Sequence, residues 1–375
     1  MTSLYIHIPF CKRKCDYCDF VSYAGKEDLL DQYVGALFKE SQALTPHPSP
    51  STIYIGGGTP TLLSVEHFEK ILGALLITEP SALEITVEAN PGTADKKKLK
   101  ALKELGVNRL SIGAQTFNDH HLKTLGRIHN SADIFRFYED ARSAGFENIN
   151  LDLIFAIPGQ TLDEWKSDLK TAISLNPNHL STYNLTIEEG TRLYEEITNN
   201  KSLGAARDAE PVEALQITNN ETEATMFEYS IDALIAAGYK HYEISNFARP
   251  GFECRHNLNY WKNGNYIGLG AGAHSHVNGK RWANPSSIKE YIGCGSVRRN
   301  VLRRAPDDSP DATDQRETLF LGLRLIDGLA IDHFAGFDEE VGQLLKEGLL
   351  QRNNGHYRLT RRGIMLGNQV FSRFV

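Results

Sequence analysis

Short runs of β-branched and apolar residues, separated by longer amphipathic stretches, set the strongest limit on how this chain can fold. The runs Leu4 to Ile8, Thr52 to Ile55, Leu83 to Glu88, Arg109 to Ile112, Ile149 to Ile154 and His179 to Leu185 read as strands. Helical patterns lie between them near Asp28 to Ala43, Val65 to Leu76, Asp95 to Leu105, Ala132 to Ala144 and Asp163 to Ser174. The last is preceded by Thr161 and Glu164 at capping-box spacing. Strands joined by helices predict an α/β fold with a parallel sheet, doubly wound or curved into a partial barrel. In both, function gathers at the C-terminal ends of the strands.

The chemically informative residues fall at those ends. Cys11 follows the first run, Gly56-Gly57-Gly58-Thr59 the second, Glu88 closes the third, Gln115 follows the fourth and Asp152 lies in the fifth. After about Lys240 the alternation gives way to a region rich in Gly, Asn and aromatic residues. From Thr313 onward, helical patterns and a polar hairpin-like stretch, Gln351 to Leu359, predict a small, mainly helical, winged-helix-like unit. The expected division is therefore 1–240, an extension over 241–300, and 301–375.

Composition narrows the function classes. Of the 375 residues 41% are apolar, which is enough for a packed core, and a formal charge of -7 argues against general affinity for nucleic acid. Arg361 and Arg362 are too few basic residues to reverse that in the C-terminal unit. No run approaches the length of a spanning helix, and the chain enters Leu4-Tyr5-Ile6-His7-Ile8 without a signal-peptide pattern. The expectation is a cytoplasmic protein with no stable membrane insertion, and at most transient membrane association.

Three of the five cysteines, Cys11, Cys15 and Cys18, fall within eight residues, and the other two, Cys254 and Cys294, lie far away. A disulfide framework does not look like this; a metal or redox site does. Soft thiolates suit an iron-sulfur cluster or zinc, and three on one tight loop can hold three corners of a cubane, leaving the fourth open. Structural zinc wants a fourth ligand, for which His7 and Asp19 are the nearest candidates. Lys12, Arg13 and Lys14 are expected to lower the thiol pKa values and to offset cluster charge.

The Cys11, Cys15, Cys18 spacing, with the glycine-rich run after a strand, resembles the radical S-adenosylmethionine (radical SAM) superfamily. That resemblance implies a partial (βα)6 barrel, a 4Fe-4S cluster on the three cysteines, and S-adenosylmethionine chelated to the open iron. An electron from such a cluster can break the cofactor's sulfur-carbon bond. Gly57, Gly58 and Thr59 would grip the methionine amino group, with polar main-chain groups exposed to the cofactor. Tyr5, Tyr17, Glu88, Gln115, Arg127 and Asp152 would complete the cofactor site by the same resemblance.

Tyr5-Ile6-His7-Ile8-Pro9-Phe10-Cys11, Gly56 to Thr61, Ile112 to Phe117 and Asp152-Leu153-Ile154 further resemble the oxygen-independent coproporphyrinogen III oxidase family across essentially the whole chain. One branch decarboxylates two propionates of its substrate; the HemW branch looks like a chaperone that binds haem for acceptor proteins such as respiratory enzymes. The enzyme branch has a fourth cysteine where Phe20 stands here, and an N-terminal extension before the first strand, which here begins by Leu4. His256-Asn257-Leu258-Asn259-Tyr260-Trp261 matches the HNxxYW signature of the HemW branch. His256, Asn257, Tyr260 and Trp261 are therefore the expected haem contacts: imidazole can ligate iron, and flat aromatic surface suits a macrocycle. Arg255 is a candidate partner for a propionate, Cys254 a rival ligand, Cys294 a small buried residue, and His274 and His276 weaker candidates.

Overall fold

The computed structural model describes residues 2–44, 50–75, 83–198, 218, 220–294, 300–301 and 310–375. Six parallel strands form its centre: β1 (Thr2–Ile8), β2 (Pro50–Gly57), β3 (Glu84–Ala89), β4 (Arg109–Gln115), β5 (Asn148–Phe155) and β6 (His179–Asn184). They pair in that order. The crossovers carry α1 (Leu30–Gln42), α2 (Val65–Gly73), α3 (Lys96–Glu104), α4 (Ser131–Ser143) and α5 (Leu162–Ser174). Each predicted strand and helix is present, with ends shifted by a few residues. Capping explains several of the helix starts. Ser64, Asp95, Asn130 and Thr161 each accept a backbone N–H in the first turn, and Thr161 and Glu164 close the predicted capping box.

Alternation along the strands decides what the sheet encloses. Leu4, Ile6, Ile8, Ile53, Ile55, Ile85, Val87, Leu110, Ile112, Ile149 and Leu151 are buried in the main core with the helices. The intervening residues are polar: Ser3, Tyr5 and His7 on β1, Thr52 and Tyr54 on β2, Glu84, Thr86 and Glu88 on β3. On β4 to β6 they are Arg109, Ser111, Asn150, Asp152, His179 and Ser181. They bond to one another inside the curved sheet: Thr52 to Ser3 at 2.8 Å, Ser111 to Asp152 at 2.9 Å, His179 to Asn150 at 2.6 Å. Buried polar groups persist only when paired, so this lumen is a polar network wrapped in an apolar shell.

The residues after 240 extend the same sheet at both edges. β7 (Lys240–Glu243) and β8 (Asn246–Ala248) add antiparallel beyond β6, while β9 (Asn265–Leu269) pairs parallel with β1. Beyond β9 lie β10 (His274–Val277), β11 (Lys280–Ala283) and β12 (Asn300–Val301), so that this sheet has twelve strands among the described residues. A long helix, α6 (Asn220–Ala236), packs on α5, where the buried indole of Trp165 donates to Ser230 Oγ at 2.9 Å. Burying a ring of that size stabilises by on the order of 3 kcal/mol. The short helix α7 (Arg255–Trp261) carries the HNxxYW residues.

A second core gathers Leu319, Leu323, Phe334, Leu344, Leu359 and Phe374 with their neighbours. The expected hairpin is present as Leu350–Asn353 paired with His356–Leu359, and Asn354 and Gly355 both adopt positive φ, as a two-residue primed turn requires. With Leu329–Ala330 as its third strand and helices around it, this is the expected small helical, winged-helix-like unit. Arg361 ties it to α6 through Asp232 at 2.7 Å.

Candidate metal and cofactor site

The three thiols sit on the loop after β1, at the C-terminal mouth of the sheet. The glycine run after β2 is stitched to that loop: Gly58 N–H donates to Ile8 O at 2.8 Å and Thr59 N–H to Phe10 O at 2.7 Å. A Cβ on Gly58 would lie 2.6 Å from Phe10 O and 3.0 Å from Cys11 Sγ, so no larger residue fits behind the first thiol. At Gly57, with φ of 112°, it would strike the His7 ring at 2.5 Å. Gly57 N–H donates to Glu88 Oε2 at 2.9 Å. All three successive amides are thus committed inside the protein, so the polar main-chain groups left for a ligand are carbonyls.

Glu88 also accepts from Tyr54 OH at 2.8 Å. Burial pushes its pKa up to about 7, despite those two hydrogen bonds to the charged form. Arg127 reaches across the mouth: one guanidinium nitrogen lies 3.4 Å from Cys15 Sγ, the other donates to Gly113 O at 2.9 Å and to Asn90 Oδ1. Asn90 in turn donates to Thr59 Oγ1 at 2.9 Å. Tyr17 packs against Leu125, Ile154, Ile157, Leu185 and Leu193 beside the thiols. Gln115 is buried at a bulge between β4 and β5 with φ of 67°. Asp152 lies deeper, bonded to Ser111 and Asn150, and burial raises its pKa. Tyr5 donates to, or accepts from, His7 Nδ1 at 2.8 Å rather than facing open space.

Two residues of this mouth escaped the sequence reading. Asn90 could have been found from its place at the end of β3, two residues after Glu88. His129 gave no signal; it lines the cleft that reaches Cys15, buried, with its pKa lowered to about 4 by burial and by Arg127.

The donor set fits a cluster. Three soft thiols share one loop, a glycine cradle backs Cys11, and Arg127 supplies a cation at Cys15. Among the described residues no three or more His, Cys, Asp or Glu side chains, these thiols included, already converge on one point, so loading a metal must draw the sulfurs together. His7 is committed to Tyr5 and, at 2.7 Å, to Val21 O.

One electrostatic expectation is corrected. Burial raises the pKa of Cys11 and of Cys18, and Lys14 offsets it only slightly at Cys18. Lys12 and Lys14 are exposed, where water screens them, and Arg13 is paired with Asp16 at 3.4 Å, while the sulfurs are largely buried. Cys11 and Cys18 are therefore held in the protonated form at neutral pH and must release protons to bind metal. Anaerobic loading with iron and sulfide is expected to rise several-fold from about pH 7 to about pH 9, read as visible absorbance at fixed time; loading independent of pH would contradict this.

The HNxxYW helix occupies the other end of the sheet. Glu84, at the start of β3, accepts the backbone N–H groups of Arg255 and His256, both at 3.2 Å. The His256 ring is buried, with Nδ1 2.8 Å from Thr52 Oγ1 and Nε2 3.0 Å from Tyr260 OH. Burial, and then Arg109, lower its pKa to about 3, so it is neutral. Both nitrogens are occupied, and in this conformation His256 does not fit an axial ligand of haem. Tyr260 and Trp261 line a separate cavity of about 320 Å³ with Tyr266, Arg281, Glu317 and Phe320. The Arg324 guanidinium lies 4.3 Å from the centre of the Trp261 ring, and Asn257 is half-buried. Cys254 is fully buried against Glu84, with its pKa pushed to about 12 by burial, which removes it as a rival ligand. Cys294 is half-buried rather than buried, His274 exposed and His276 buried.

The chain is similar to known proteins along its whole length. The model of the radical SAM superfamily matches residues 5–172, and that of the HemN C-terminal domain matches residues 312–366. The chain is 40% identical to the "Heme chaperone HemW" of Bacillus subtilis, covering 100% of this chain and 99% of that one. To the protein of the same name from Escherichia coli it is 36% identical over 100% and 98%. The solved structure of coproporphyrinogen III oxidase (HemN) from Escherichia coli superposes with a TM-score of 0.81 at 24% identity, covering 100% of this chain and 89% of that one, which establishes the shared fold. With relatives of that identity along their whole length, the chain belongs to the HemW family of the radical SAM superfamily.

Proposed function

We propose that this chain is a haem chaperone. It would carry a 4Fe-4S cluster on Cys11, Cys15 and Cys18, with S-adenosylmethionine on the open iron, and bind haem for transfer to an acceptor protein. The observation that carries the reading is the mouth itself: three thiols on one loop, with Gly58 behind Cys11 and Arg127 against Cys15. Full-length similarity to proteins named for haem delivery supports the chaperone role. When bound, the cofactor would supply the open iron with an amino and a carboxylate ligand. The chain's part is to present acceptors from the glycine loop, to place the Arg127 cation and to hold Glu88 and Asp152 in the lumen.

Haem would be taken up through the α7 segment, His256, Asn257, Tyr260 and Trp261, once the His256 ring leaves Thr52 and Tyr260. Titration of the purified chain with haem, read by the Soret band, tests this. Saturable binding with a band that changes in His256→Ala supports it. A band unchanged in His256→Ala removes that residue as a ligand, and absence of saturable binding removes the chaperone reading. Oxidative decarboxylation of coproporphyrinogen III by the loaded protein would replace it with the enzymatic one.

A further inference from the structure

His256 is tied to the mouth of the sheet as firmly as to its own helix. Its ring stacks at 5.1 Å on Tyr54, tilted by 30°, and lies 6.5 Å from Tyr5. Tyr54 OH donates to one oxygen of Glu88 at 2.8 Å, and the other oxygen of Glu88 accepts the Gly57 amide at 2.9 Å. Gly57 opens the glycine run whose next residue backs Cys11. From the floor of the lumen to the thiol loop there are thus two side chains, Tyr54 and Glu88, in direct contact. Tyr5 runs beside them: its ring is 6.3 Å from Tyr54 and its hydroxyl holds His7, the ring that fills the space over Gly57.

We propose that His256 in the haem-free chain is a positioning residue: from the floor of the lumen it holds Tyr54, and through Tyr54 and Glu88 it fixes the Gly57 amide and hence the loop behind Cys11. The geometry carries this. Thr52, one turn of side-chain alternation before Tyr54 on β2, bonds His256 Nδ1 at 2.8 Å, and Tyr260 bonds Nε2 at 3.0 Å, so the ring has one orientation. That orientation lays its face along Tyr54. Tyr54 is therefore held on its ring by the floor and at its hydroxyl by the mouth, and a shift at one end is felt at the other because packed interiors do not deform continuously. A ring that leaves this place to meet a ligand elsewhere releases Tyr54 as it goes. The role goes beyond haem delivery and does not depend on it, since every contact exists without haem.

Amide hydrogen exchange in the cluster-free and haem-free chain tests this directly, followed in a peptide or resonance covering Gly57 and, as reference, in the C-terminal core around Leu344 and Leu350. Tyr54→Phe keeps the ring and removes the hydroxyl bond to Glu88; Gly57 should exchange about tenfold faster, as loss of one buried hydrogen bond implies, with α7 unchanged. His256→Ala should speed exchange both in α7 and at Gly57, with the reference core unmoved, and adding Tyr54→Phe to it should add little at Gly57. Thr52→Val, which frees the His256 ring at Nδ1 alone, should give a smaller change of the same sign and serves if His256→Ala does not fold. Wild-type exchange at Gly57 in a His256→Ala chain whose α7 has loosened overturns the proposal, as does full additivity of the two substitutions.

Discussion

Cys15→Ser is expected to abolish the cluster: after anaerobic reconstitution the variant should hold at most about a tenth of the wild-type iron and labile sulfide, and should lack the brown colour. The oxygen of serine is a hard donor, and three ligands leave no spare. Cys254 cannot stand in, because it is sealed at the floor of the lumen against Glu84, and Cys294 lies at the end of the helix Ile288–Cys294. Folding should survive. Cys15 is half-buried and, among the described residues, its side-chain hydrogen bond is the 3.4 Å contact from Arg127, so the circular dichroism spectrum and the melting midpoint of the cluster-free protein should match wild type. A Cys15→Ser protein that still assembled a full cluster would remove the assigned ligand set.

The largest stability effect is expected at Glu84, a buried carboxylate that sequence alone makes look like an ordinary strand residue. It accepts the first two N–H groups of α7 and acts on Arg109, whose guanidinium is almost wholly buried and whose Nε has no partner among the described residues. Glu84→Ala would orphan both amides and remove one of several acidic groups near the buried Arg109 guanidinium, Glu88 and Asp152 remaining. Leaving two buried donors unpaired costs about 2–4 kcal/mol, most of it desolvation that is no longer repaid. Glu104→Ala, which removes the exposed pair with Lys100 at 3.9 Å, should change stability by no more than about 0.5 kcal/mol. Urea titration of the cluster-free proteins compares the two. A loss below about 1 kcal/mol for Glu84→Ala would mean that α7 and Arg109 are held by other contacts.

The order of strands and helices was legible because each central strand turns a continuous apolar face to its helices, and that face comes from adjacent residues. Leu4, Ile6 and Ile8 signal β1 whatever lies elsewhere. The cysteine loop was legible for the same reason, being local. What was not legible is what depends on distant neighbours. Asn265 to Leu269 reads as a polar, aromatic and glycine mixture, yet it becomes a strand because β1 offers it a parallel edge. The basic run beside Cys11 suggested lowered thiol pKa values, but the sign is set by how deeply the sulfurs are buried, which spacing does not encode. His256 shows this most clearly. Its residue type and motif suggest an exposed ligand, whereas Thr52, Tyr54 and Glu84, some 170 to 205 residues earlier in the chain, enclose it.

Three sulfur ligands would leave one metal corner for a small chelating cofactor. Electron paramagnetic resonance of the anaerobically reconstituted and reduced protein, recorded with and without S-adenosylmethionine, tests it most directly. The expected result is the signal of a reduced 4Fe-4S cluster, whose shape changes when the cofactor is added and no longer changes in the presence of excess methionine analogue competing for the same iron. A protein without iron or labile sulfide, or a cluster signal indifferent to S-adenosylmethionine, would contradict it.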